Sequence, residues 1–202
     1  MCLEGPDKSG KTTQSLILVK TLRRKGLDAV YTTEPSTGEV GKFIRQHILR
    51  KRQRVNIAVE ALLFAADRID HVENEIKPLL TNNKLVISDR YVYSSLAYQG
   101  AAGLDTNWIR EVNRLILKPD LVIYLDVPLD VVLQRCRGER SVMENEEIQE
   151  RVREVYENLV NEENIIQIDG NRPKSIVAKD IETIIMKELQ LKCVQISNIK
   201  TA

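Results

Sequence analysis

Gly5-Pro6-Asp7-Lys8-Ser9-Gly10-Lys11-Thr12 decides the reading of this chain. It fits the spacing GxxxxGK[ST], and from Thr13 it opens directly onto a stretch with helical periodicity. The two glycines permit backbone angles that turn successive N–H groups inward, and the start of the helix adds partial positive charge. In such a loop Lys11 reaches the terminal phosphates of a nucleoside triphosphate and the Thr12 hydroxyl ligates Mg²⁺. A phosphate loop needs a strand before it. Only Met1–Glu4 precede Gly5, so either that strand is very brief or the chain begins late.

Further along, short aliphatic or β-branched runs fall at Leu27–Thr33, Leu85–Ser88, Leu121–Val127 and Ile165–Ile168. Between them lie stretches with helical spacing of apolar positions: Gln14–Arg24, Val59–Leu80, Thr106–Leu117, Leu129–Cys136, Glu146–Val160 and Lys174–Leu189. Strands separated by helix-length segments require crossover connections. The expected fold is therefore α/β, a three-layer α/β/α domain with a central parallel sheet spanning residues 1–202. The last stretch, from Leu191 to Ala202, has weak periodicity and is expected to fray.

Composition narrows the class. Of 202 residues, 43% are hydrophobic and 29% charged, enough for one core and a polar surface. Aromatics supply only 4%, which leaves the packing to aliphatic side chains. Thirty Lys+Arg against 29 Asp+Glu argue against a nucleic-acid coat. The basic run Lys42…Arg45…Arg50-Lys51-Arg52…Arg54 lacks interleaved aromatics and reads as a solvated helix end and loop. Glu144–Glu163 reads as an exposed helix with i,i+4 ion pairs. Cys2, Cys136 and Cys193 are odd in number and far apart, so neither a disulfide framework nor a zinc site is expected. No apolar run approaches the roughly 20 residues of a membrane helix, and no signal peptide is expected before the first motif. A soluble, cytoplasmic protein is the expectation.

In open parallel sheets ligands bind beyond the carboxyl ends of the strands, so the residues just after each run carry the chemistry. Leu85-Val86-Ile87-Ser88-Asp89 ends in a carboxylate placed to hold Mg²⁺ or its water, and Arg90 adds a cation beside the transferring phosphoryl group. Asp89-Arg90-Tyr91-Val92-Tyr93-Ser94-Ser95-Leu96-Ala97-Tyr98-Gln99-Gly100 then packs hydroxyls and an amide, with Ser94 and Tyr98 one turn apart. Phe64 and Arg68, four apart, share a helix face and offer a ring and a guanidinium to a base. Taken alone, that pair also reads as a core Phe beside a solvated Arg. His47 and His71 read as exposed helix residues with no part in catalysis.

These elements together resemble the thymidylate kinases of the nucleoside-monophosphate-kinase group. The resemblance is carried by the loop with Asp7 inside it, Glu34-Pro35, Leu62-Leu63-Phe64-Ala65-Ala66-Asp67-Arg68, Asp89-Arg90-Tyr91 with Ser94-Ser95-Leu96-Ala97-Tyr98-Gln99-Gly100, Lys118-Pro119-Asp120-Leu121 and the arginines after Leu133. It implies transfer of the γ-phosphate of ATP to dTMP, giving dTDP and ADP, with Mg²⁺ as cofactor and a homodimer built on helix faces. It implies an acceptor region at about residues 34–72 and a mobile lid at about 136–147. Residue by residue, Asp7 would meet the acceptor 3′-hydroxyl and lie near the metal, and Phe64 would stack on thymine. Arg68 would meet a base carbonyl, Ser95 the pyrimidine N3 edge, and Tyr98 would crowd the 2′ position. Glu34, Pro35, Ser94 and Gln99 would complete the acceptor site. Arg90 would clamp phosphate, and Arg135 would lie near adenine, with Arg137 and Arg140 near the ATP phosphates. Asn171-Arg172-Pro173 would border the adenine ring.

Two departures stand out. Many relatives carry an arginine beside Glu-Pro, where Thr33 and Ser36 stand here; Arg45 is the candidate substitute. Catalytic cations occur both in the loop, at Lys8, and in the lid. Two other readings share the phosphate loop: a same-fold kinase for another pyrimidine nucleotide or nucleoside, such as dUMP or dCMP, and a non-catalytic ATP-binding regulator.

Overall fold

A computed structural model describes residues 1–49, 54–135 and 146–200, with side chains described as far as residue 191. Five strands form one parallel sheet in the order β2-β3-β1-β4-β5: β1 Cys2–Glu4, β2 Ala29–Thr33, β3 Leu85–Asp89, β4 Val122–Asp126 and β5 Ile165–Asp169. The first strand is brief, only three residues, yet it is central and paired on both sides.

Alternation along the strands explains the layers. Cys2, Val86, Val122 and Tyr124 point to one face, where they pack with Leu96, Ile109, Val152 and Tyr156. Leu3, Ile87, Ile123 and Leu125 point to the other, against Leu18, Leu22, Val177, Ile181 and Ile185. Helices α1 (Lys11–Arg24) and α9 (Lys174–Lys200) cover the second face. On the first lie α5 (Val92–Ala101), α6 (Thr106–Val112) and α8 (Glu146–Glu162), with α3 (Ile57–His71) packed against α5 and α6. This is the expected three-layer α/β/α arrangement. Shorter segments complete it: α2 (Glu39–Phe43) running into a π turn at Ile44–Ile48, a second π turn at Val72–Ile76 leading into α4 (Lys77–Thr81), and α7 (Leu129–Arg135).

The hydroxyl-rich stretch after Asp89 forms α5, which sets Ser94 and Tyr98 one turn apart as expected. Two expectations change. The segment from Leu191 continues α9 to Lys200 instead of fraying. The acidic segment is a covering helix whose inner side buries Val152, Tyr156 and Leu159, with i,i+4 pairs Arg151–Glu147 and Arg153–Glu157 on its outside. Among the described residues, no helix is long and apolar enough to cross a membrane.

Candidate active site

The register sets the site. Leu3 pairs with Asp89 across β1 and β3, so Asp89 and Arg90 emerge at the same sheet edge as Gly5. The Arg90 amide donates to the Leu3 carbonyl at 3.0 Å. Gly5 has φ +147°, and a Cβ there would lie 2.7 Å from the Leu125 carbonyl oxygen, so only glycine lets the loop leave β1 beside β4. Lys8 and Arg90 are themselves held at positive φ, 58° and 72°. Such strain persists only where the surroundings over-determine it, and here both residues border one cavity.

That cavity, about 640 Å³, opens over the C-terminal edge of the sheet. At one end it is lined by Asp7, Lys8, Gly10, Lys11, Thr12, Thr13 and Arg135. At the other stand Thr33, Pro35, Leu49, Phe64, Ser94, Ser95, Tyr98 and Gln99, with Asp89 and Arg90 between. Gly5, Pro6 and Ser9 form the back of the loop. Lys11 Nζ donates to the Pro6 carbonyl at 2.6 Å and to Ser9 Oγ at 3.2 Å. Burial, with the like charge of Arg90 second, draws the Lys11 pKa down to about 7, against the raising pull of Asp7, Asp89 and Glu4.

Thr12 Oγ1 donates to Asp89 Oδ2 at 2.5 Å, while Asp89 Oδ1 is buried without a hydrogen-bond partner. An orphaned carboxylate oxygen beside a threonine hydroxyl is a hard-oxygen donor set that fits Mg²⁺, which takes one or two protein oxygens and completes its shell with phosphates and water. The described residues contain no cluster of three or more His, Cys, Asp or Glu that could hold a metal ion. Asp7 Oδ1 accepts from Arg90 Nη2 at 2.5 Å, which ties the loop acid to the clamp arginine. The Arg90 guanidinium also lies 5.3 Å from the Tyr98 ring centroid.

The acceptor end is built by α3 strapping the chain after β2. Asp67 accepts from the Ser36 amide and hydroxyl at 2.7 and 2.6 Å. Glu34, 4% exposed, accepts from Arg68 Nε at 2.7 Å and lies 3.2 Å from His71 Nδ1. Arg68 and Phe64 therefore stand in the reverse of the core-Phe, solvated-Arg picture. Phe64 is half-buried on the cavity wall, whereas Arg68 is 1% exposed behind it. Four of the five Arg68 N–H groups are used, on Glu34, Asn113 Oδ1 (2.6 Å), the Tyr91 carbonyl (3.3 Å) and Ser95 Oγ (3.0 Å). Arg68 is not on the cavity wall: the buried Glu34 carboxylate holds its guanidinium behind it. Ser95, which receives Arg68, keeps its own proton for a ligand.

Other residues fall off the wall too. Both terminal nitrogens of Arg45 donate to the Pro35 and Ser36 carbonyls, so that guanidinium braces the turn. His71 is corrected from exposed to buried, 2%, between Thr32 Oγ1 (2.6 Å) and Glu34; His47 is exposed. Asn171, Arg172 and Pro173 lie on the loop after β5, where Arg172 pairs with Asp180 at 2.7 Å. Arg135 Nη1 donates to the Lys8 carbonyl at 3.1 Å. Arg137, Arg140 and most of the 136–147 segment lie outside the described residues. Unanticipated in the sequence are Glu4, Asn113 and Glu60. Glu60 takes two bonds from Arg54 (2.9 and 2.8 Å) and one from Gln99 Nε2 (2.8 Å), which turns the Gln99 amide.

A phosphate loop at the tip of a central parallel strand, a metal-ready aspartate on the next strand, and a second binding wall facing it define the class: a P-loop nucleotide kinase. A family model described as thymidylate kinase matches residues 3–181. The chain is 45% identical over 163 residues to a protein named probable thymidylate kinase from Thermococcus onnurineus, covering 77% of this chain and 80% of that one. It is 40% identical over 200 residues to another of that name from Caldivirga maquilingensis, covering 96% and 98%. A third, from Pyrococcus horikoshii, is 46% identical over 160 residues, covering 77% and 78%. The chain belongs to the thymidylate kinase family.

Proposed function

We propose that the protein transfers the γ-phosphoryl group of ATP to dTMP, giving dTDP and ADP. The observation that carries this reading is the single cavity in which the phosphate loop and Arg135 face Phe64, Ser95, Tyr98 and Gln99 across Asp89 and Arg90. Two nucleotides placed end to end there meet phosphate to phosphate. A phosphate oxygen of dTMP attacks Pγ as the bond from Pγ to the bridging oxygen of ADP breaks, in line. The protein's contribution is orientation and charge neutralisation, with no covalent intermediate.

In this reading Gly5–Thr13 wrap the ATP phosphates, with Lys8, Lys11, Arg90 and the arginines at 137 and 140 supplying positive charge. Arg135 and Asn171-Arg172-Pro173 border adenine. Thr12 and Asp89, with Asp7 nearby, hold Mg²⁺, which when bound neutralises phosphate charge. On the acceptor side Phe64 stacks on thymine and Ser95 and Gln99 meet its polar edge. The remaining N–H of Arg68 serves a base carbonyl beside Ser95. Tyr98 fills the 2′ position, Asp7 takes the 3′-hydroxyl, and Glu34, Pro35, Arg45 and Ser94 shape the wall.

Two further features belong to the proposal. Val59, Leu62 and Ala66 are exposed at i, i+3 and i+7 on the outer side of α3, which supports a homodimer paired through that face. Cys2 is a free, buried thiol that burial pushes up in pKa, in keeping with the reducing cytoplasm. An acceptor panel of dTMP, dUMP, dCMP and thymidine, read by coupled ADP release, tests the activity. The expected result is fastest turnover with dTMP. Preference for another acceptor, or ATP binding without a phosphorylated product, would contradict it.

A further inference from the structure

Glu4, the last residue of β1, has no solvent exposure, and among the described residues no Lys, Arg or His nitrogen forms an ion pair with it. Both its oxygens are nonetheless filled. Oε1 accepts the Tyr91 amide at 2.7 Å; Oε2 accepts the Ser94 hydroxyl at 2.7 Å and the Tyr156 hydroxyl at 3.0 Å. A buried carboxylate without a cation is expensive, and an apolar residue would end the strand at less cost. Its position asks for a reason beyond folding.

An ionised carboxylate only accepts, and Glu4 Oε2 takes the Ser94 hydroxyl directly, with the Tyr156 hydroxyl 3.1 Å from Ser94 Oγ beside it. Ser94 Oγ in turn receives Arg90 Nη1 at 2.9 Å. The same guanidinium reaches the Gly5 carbonyl at 3.3 Å and Asp7 at 2.5 Å. The other Glu4 oxygen holds the amide of Tyr91, the residue directly after Arg90, whose φ of 72° is strained. One carboxylate thus grips Arg90 twice, through the backbone that follows it and through the hydroxyl that receives its side chain. Ser94 faces the cavity, but its hydroxyl is already engaged by Glu4, Tyr156 and Arg90.

We propose that Glu4 is a positioning residue for phosphoryl transfer, fixing Arg90 through Ser94 and the Tyr91 amide. This rests on the reading of Arg90 as the phosphate clamp. Arg90 is the side chain that bridges the two ends of the cavity, so a tilt of its guanidinium would be felt in the transfer step more than in the binding of either nucleotide.

The test is a double-mutant cycle on kcat with dTMP and ATP, using Glu4→Gln, Arg90→Ala and the pair. Glu4→Gln should lower kcat by roughly 10- to 100-fold, the range seen when a supporting hydrogen bond behind a reacting group is lost. KM for each nucleotide should change less than about threefold, as expected when an interaction made only in the transition state is removed. In the Arg90→Ala background Glu4→Gln should have no further effect, because its action passes through Arg90. Ser94→Ala, which cuts the link and leaves Glu4 in place, should reproduce the kcat loss and the non-additivity if Glu4→Gln fails to fold. Wild-type kcat in either single variant, or an equal factor with and without Arg90, would overturn the proposal while leaving the dTMP reaction standing. No turnover of dTMP by the unaltered protein would overturn both.

Discussion

Lys11 shows most plainly how a side chain is prepared for its ligand. Among the described residues its ammonium hydrogen-bonds the Pro6 carbonyl and the Ser9 hydroxyl, and burial brings its pKa to about 7. Phosphates arriving there favour the charged form. At about pH 8 the free lysine is largely neutral, so ATP binding should take up close to one proton. Titration calorimetry in buffers of different ionisation enthalpy reads this directly; Lys11→Ala should abolish it, and wild-type binding without proton uptake would contradict the assignment. Lys11→Ala should also lower kcat at least about 100-fold with the fold intact, the scale of losing one charge-stabilising donor. Phe64 gives the matching prediction on the other wall. A base stacked on an aromatic ring is worth about 1–3 kcal/mol, so Phe64→Ala should raise KM for dTMP roughly 5- to 150-fold and leave KM for ATP nearly unchanged. An unaltered dTMP KM would remove Phe64 from the site.

Between residues and fold stand the elements, and α3 does most to shape the acceptor end. Three of its side chains, Asp67, Arg68 and His71, lean inward and pin Glu34 and Ser36. Burial disfavours a charge on His71, but the hydrogen bond and charge of Glu34, with Glu75 and Asp67, outweigh it and raise its pKa above the ordinary 6.5. A raised folded pKa means that protonation stabilises the fold. That contribution is complete below about 6.5 and is lost as pH rises through the folded value. The Tm gap between wild type and His71→Gln should therefore be widest near pH 6 and shrink toward pH 9; a gap that widens with pH would contradict it. The same helix shows what a linear sequence conveys. Phe64 and Arg68 were legible as neighbours because i,i+4 spacing is local. Which of them meets the cavity was not, because Glu34, Asn113 and Ser95 approach from distant segments. Helix α5 is legible only in the one-turn spacing of Ser94 and Tyr98, for a related reason. It is buried on nearly every side, from Tyr93 through Ser95–Gln99 to Ala101, and a helix without a wet face has no periodicity to read. The aliphatic runs of β2 to β5 and the helical spacing over Glu146–Val160 carried clear signals, and strands and helix appear there.

At the scale of the whole molecule, five parallel strands bring residues far apart in sequence to one edge: the loop at 5–13, Glu34-Pro35, Phe64 and Arg68, and the run from Asp89 to Gln99. The phosphate loop was evident in advance because its chemistry is written in eight consecutive residues. Glu4, immediately before it, was not, because its partners Ser94 and Tyr156 are supplied by α5 and α8. If α3 pairs two copies, Leu62→Glu should convert a dimer to a monomer in sedimentation velocity; a wild-type monomer would contradict that face.

The central claim is that one cavity holds both nucleotides at once, joined through their phosphates. Its most direct test is titration with a bisubstrate analogue, adenosine and thymidine linked 5′ to 5′ through a chain of phosphates. The expected result is one analogue per chain, bound more tightly than ATP or dTMP and excluding both. Undiminished dTMP binding to protein saturated with the analogue would contradict the account.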